Sequence, residues 1–94
     1  MLENKETIDL SLLCKTISGV YILYKLNEIV YVGRARNIIV RVIQHRIMKA
    51  RGKFDFDGVK IIPCEGFEMK KLESDLIRHY RPIYNINKNI TALY

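Results

Sequence analysis

The chain changes its period at Gly19, and this change does most to limit what it can fold into. Val20, Tyr21, Ile22, Leu23 and Tyr24 form a run rich in β-branched and aromatic residues, and after Lys25 to Glu28 a second such run extends from Ile29 to Val32. Two short runs of this kind, parted by a few polar residues, predict antiparallel strands joined by a turn near Asn27. A lone hairpin is marginal in water, so its faces need cover from the rest of the chain. Asn37 can cap a helix running to about Ala50, where Ile39, Ile43 and Ile47 recur at the spacing of one buried face. Val59 to Cys64 predicts a third strand, ended near Pro63. Residues 67 to 80 predict a second long helix with Phe67, Leu72, Leu76, Ile77 and Tyr80 as its apolar positions. Pro82 prevents its continuation, and the tail from Tyr84 reads as irregular.

Ahead of the hairpin, residues 7 to 16 predict a short helix, with Thr7 as cap and Ile8, Leu12 and Leu13 as its stripe. The expected order is therefore α-β-β-α-β-α. It describes an α+β member of the α/β class, a small three-stranded antiparallel sheet flanked by helices. At 94 residues the chain has room for one domain, divided into the N-terminal helix at 1–17, a core at 18–86 and a tail at 87–94.

Charge narrows the choice of partner. A formal net charge of +6 and a pI near 9.5 favour a polyanion, and nucleic acid is the commonest one. Lys49, Arg51 and Lys53 fall in a stretch from Lys49 to Gly58 that reads as an exposed basic loop, anchored by Phe54 and Phe56. Cys14 and Cys64 lack the close pairing of zinc or redox motifs. No apolar run approaches the roughly 20 residues that span a bilayer. The expectation is a soluble intracellular protein, cytoplasmic or nucleoid-associated, with no membrane partner.

The triplets Gly19-Val20-Tyr21 and Tyr31-Val32-Gly33 resemble the pair that names the GIY-YIG nucleases, with valine in place of isoleucine in both. The resemblance continues through Arg34-Ala35-Arg36-Asn37, then Arg41 and His45, and then Glu73 in the segment that runs on to Tyr84 and Asn85. It covers residues 18 to 86 and is closest to the UvrC-like members. It implies a metal-dependent DNA endonuclease that uses Mg²⁺ or Mn²⁺ and leaves 5′-phosphate and 3′-hydroxyl ends. Phosphodiester hydrolysis needs an activated water, neutralisation of charge on the phosphate and help for the departing oxygen. The resemblance assigns the metal to Glu73, whose single carboxylate leaves room for the water and phosphate ligands that Mg²⁺ prefers. Arg41 would hold the scissile phosphate.

Tyr21 and Tyr31 are the candidates for activating water. A free phenol titrates near pH 10, so either would need help from the metal or from Arg34 and Arg41. To serve one site both must face the same side of the sheet, which requires a hairpin loop with an odd number of residues. His45, one helical turn beyond Arg41, can orient water, contact phosphate or act as a second base. Arg34 stands where UvrC-like domains carry a lysine; it can contact phosphate or lower a tyrosine's pKa but cannot itself be the base. Gly33 and Asn85 are expected to support the site. Arg34, Arg36, Arg46, Lys49, Arg51 and Lys53 are expected to touch DNA phosphates, with little sequence preference.

Two rivals remain at this level. Asp57 and Glu68-Met69-Lys70 faintly resemble the signature of PD-ExK nucleases. Alternatively, the domain binds nucleic acid or a partner without cleaving. A protein partner or a homodimer is compatible with either reading.

Overall fold

A computed structural model describes residues 16–86. The expected N-terminal helix, all but its last position, and the tail at 87–94 lie outside the described residues. Strands β1 (Gly19–Lys25), β2 (Glu28–Ala35) and β3 (Gly58–Pro63) form one antiparallel sheet in the order β2-β1-β3. Helices α1 (Ile38–Ala50) and α2 (Phe67–Tyr80) cover its two faces. A single turn, α3 (Ile83–Ile86), stands where irregular chain was expected.

The hairpin corrects the expected odd loop. Leu26 and Asn27 alone form the turn, both left-handed at φ 51 and 67, as primed two-residue turns require. Such an even loop in a regular ladder would send Tyr21 and Tyr31 to opposite faces. The register instead runs Tyr21↔Gly33 and Leu23↔Tyr31, then slips to Tyr24↔Ile29 and Lys25↔Glu28. Val30 is therefore the extra residue of a β-bulge, and it shares with Tyr31 the face that Tyr21 and Leu23 occupy. The odd residue sits in the strand rather than in the loop. Asp57 braces the turn from outside: the Leu26 N–H donates to its Oδ2 at 3.1 Å, and the Asp57 N–H donates to Tyr24 O at 2.7 Å.

One face of the sheet buries Tyr21, Leu23 and Val30 with Ile38 and Met48 of α1 and with Phe54 and Phe56. The other buries Val20, Ile22 and Val32 against Met69, Leu72, Leu76 and Ile77 of α2. Asn37 caps α1 as expected, its side chain accepting the Val40 N–H at 3.3 Å. The inward stripe, however, is the buried Ile38, His45 and Met48 with the half-buried Val42, while Ile43 and Ile47 are exposed. Apolar residues lie on several faces of this helix, so their spacing did not single out the inner one. In α2 the end residues Phe67 and Tyr80 are likewise exposed, and Met69 takes a buried place. Arg81 stops the helix in a left-handed conformation, its N–H donating to Ile77 O at 2.8 Å, and the buried Pro82 follows.

The free edge of β2 is closed by a side chain. Asn85 Oδ1 accepts the Val32 N–H and Asn85 Nδ2 donates to Val32 O, both at 2.8 Å. The amide thus stands in for one residue of a fourth strand.

Candidate active site

Gly33 lies opposite Tyr21 in the hairpin, and its missing side chain shapes the site. A Cβ there would lie 2.5 Å from the Tyr21 hydroxyl oxygen and 2.8 Å from the Tyr31 ring. The phenols can therefore lie across β2 only where the strand has no side chain. Their rings are 6.0 Å apart, and His45 of α1 completes the group, 5.0 Å from the Tyr31 ring and hydrogen-bonded through Nε2 to the Tyr21 hydroxyl at 2.8 Å. His45 is fully buried rather than on the helix surface. Phe54 backs the cluster, 4.7 Å from His45 and 4.2 Å from Tyr84, whose hydroxyl accepts the Asp55 N–H at 3.1 Å. The only sequence signal for Tyr84 is its place between Pro82 and Asn85.

Burial governs the electrostatics. It raises both phenols above their ordinary range; the charge of Tyr31 raises Tyr21 further, while Arg41 opposes the shift in both. Burial, followed by the Arg41 guanidinium, pushes His45 down to about 4. At neutral pH the group is thus two phenols and an uncharged imidazole, with Arg41 as the cation beside them. Arg34 does not act on the phenols as one of its expected roles required. Its Nε donates instead to Glu73 Oε1 at 2.8 Å, tying β2 to α2.

Glu73 is itself close enough to raise the pKa of both phenols. Its side chain is only 22% exposed, so α2 brings a half-buried carboxylate to the hairpin's two tyrosines. Among the described residues no cluster of three or more acidic, cysteine or histidine side chains could cage a metal ion. One carboxylate beside open solvent fits Mg²⁺, which keeps most of its waters, better than a metal needing several protein ligands.

The same architecture is found in the N-terminal endonuclease domain of UvrC from Thermotoga maritima bound to magnesium. That structure matches with a TM-score of 0.60 at 24% identity, over 82% of this chain and 98% of that one. The fold is that of the GIY-YIG superfamily. A point mutant of the Thermotoga domain, bound to its catalytic divalent cation, matches this chain with a TM-score of 0.61 at 24% identity, over 80% and 90% of the two chains. Protein C of the UvrABC system of Aquifex aeolicus is 35% identical over 78 residues, 72% of this chain. Its counterpart from a Hydrogenobaculum strain is 35% identical over 75 residues. The chain spans 13% of the length of each of these relatives. No protein-family model matches it.

Within this domain the basic residues line more than one groove. Arg36 and Arg41 line a groove with Asn37, Val40 and Gln44. Arg34 and Arg36 also meet Lys70 around Gly66 and Phe67. Arg46 and Lys49 line a separate groove with Phe56, Asp57 and Val59. Lys49 is moreover engaged within the fold, donating to Phe56 O at 2.5 Å with its ammonium 5.4 Å from the Phe56 ring. Lys49 thus closes the loop, whose aromatic residues Phe54 and Phe56 are buried while Lys49, Arg51 and Lys53 are exposed. The PD-ExK alternative fails on geometry: Lys70 lies in α2 rather than on a strand, and Asp57 braces a turn.

Proposed function

We propose that this GIY-YIG domain is a metal-dependent DNA endonuclease acting in DNA repair, hydrolysing a phosphodiester with one Mg²⁺ or Mn²⁺. The observation that carries the reading is that the buried Tyr21 and the half-buried Tyr31 share one face of the sheet, within electrostatic reach of both Arg41 and Glu73, the latter from late in the chain. Glu73 would hold the cation. When bound, that cation would neutralise charge on the phosphate and acidify a water.

The chain's own residues supply the remainder. Arg41 offers a guanidinium that cannot lose its proton, placed where phosphate charge develops. Tyr21 is hydrogen-bonded to His45 Nε2 at 2.8 Å, and this bond holds the phenol in a fixed direction beside Tyr31, while burial and Arg41 keep the imidazole uncharged. Neither phenol is a base on its own, because burial opposes phenolate formation. Asn85 holds β2 in place beneath the tyrosines and takes no proton. Arg36, with the exposed Arg46, Arg51 and Lys53, would add affinity for phosphates without reading bases. Low sequence preference follows, and a partner or second copy would supply the choice of target.

The test is cleavage of nicked, flapped, branched and plain duplex DNA with Mg²⁺, Mn²⁺ or chelator. Metal-dependent nicking that disappears in Glu73→Gln is expected. Equal nicking by both proteins would remove the mechanism. DNA binding with no cleavage under any condition would make the domain a binding module on this fold.

A further inference from the structure

We infer that Arg34 sets which divalent ion the site accepts, by restricting Glu73 to coordination through one oxygen. The inference rests on the reading of Glu73 as the metal-holding residue. Arg34 Nε donates to Glu73 Oε1 at 2.8 Å, a charge-assisted bond between a strand and a helix. No bond to the second oxygen, Oε2, is made among the described residues. The carboxylate is the more enclosed partner at 22% exposure against 42% for Arg34, so α2 limits its freedom to turn away.

Two consequences follow from one contact. A fixed cation beside the carboxylate weakens its attraction for every divalent ion. Occupation of Oε1 falls most heavily on Ca²⁺, which readily takes both oxygens of a carboxylate in a loose shell of six to eight ligands. Mg²⁺ needs one oxygen and fills its octahedron with water and substrate. Arginine suits this task because its planar donor stays charged at all working pH values.

The experiment measures Mn²⁺ binding to the whole chain by electron paramagnetic resonance, with Mg²⁺ and Ca²⁺ as competitors and no DNA present. Wild type is compared with Arg34→Gln, Arg34→Lys and Glu73→Gln, each checked for folding by circular dichroism. In Arg34→Gln all three ions should bind more tightly, with the preference for Mg²⁺ over Ca²⁺ reduced by about fivefold. Arg34→Lys, which keeps the charge, should stay nearer wild type. An unchanged Mg²⁺ to Ca²⁺ ratio in Arg34→Gln, with binding abolished in Glu73→Gln, overturns this inference alone. Mn²⁺ binding that survives in Glu73→Gln overturns the assignment of the metal to Glu73, and this inference with it.

Discussion

The Tyr21 hydroxyl and His45 Nε2 lie 2.8 Å apart in the interior, joining the central strand to the helix that crosses it. Each polar group satisfies the other where water cannot reach. Tyr21→Phe should therefore cost about 1–3 kcal/mol by leaving the imidazole nitrogen without its partner. If the Tyr21 hydroxyl positions the attacking water, cleavage should also fall by about a hundredfold. Urea unfolding and single-turnover nicking of the same preparation check both. Full activity in the variant would remove the Tyr21 hydroxyl from the mechanism.

The charge state of His45 predicts a loss of stability in mild acid. Its pKa in the folded chain is about 4 against 6.5 when free, because burial and then Arg41 disfavour the imidazolium. Below pH 6.5 the unfolded chain takes up a proton that the folded one refuses until near pH 4, so stability rises with pH across that window. The decline on acidification should approach about 3 kcal/mol and be complete near pH 4. Unfolding free energies measured from pH 7.5 to 4 should decline less in His45→Gln than in wild type. Parallel declines would place the acid sensitivity elsewhere.

Gly33→Ala should disturb the tyrosine pair directly. The new methyl group would lie 2.5 Å from the Tyr21 hydroxyl oxygen, so the phenol or the strand must move. Overpacking of this kind costs about 1–3 kcal/mol. The variant should be less stable and should nick poorly, with a changed tyrosine ultraviolet spectrum. Wild-type stability and spectrum together would show that the strand yields without strain.

Asn85→Ala should release the edge of β2. It removes both partners of the Val32 backbone, and a cost of about 1–3 kcal/mol is expected. Asn85→Asp keeps the acceptor and loses the donor, so it should fall between the two. Amide exchange at Val32 reports the change locally. Protection as strong as in wild type would mean that another group covers the edge.

The two grooves should respond differently to salt. Arg36→Ala should flatten the dependence of DNA affinity on salt by roughly one phosphate contact, whereas Lys49→Ala should lower stability and leave that slope alone. A reduced slope in the lysine variant would return Lys49 to the DNA surface.

Sequence by itself determined the succession of strands and helices from Gly19 to Tyr80, because the signals are local. The aromatic and β-branched runs before Val32, the cap at Asn37 and the stop before Pro82 each act within a few residues. It also placed Tyr21, Tyr31, Arg41, His45 and Glu73 in a motif order that pointed to one site. Only the tertiary structure decided how they meet. The bulge at Val30 lets an even turn keep both phenols on one face, a matter of cross-strand register that neither strand encodes alone. His45 turned inward because the core offered it the Tyr21 hydroxyl, although helical spacing had favoured Ile43 and Ile47. The bond from Arg34 to Glu73 joins residues 39 positions apart, and the packing of α2 across the sheet brings them together.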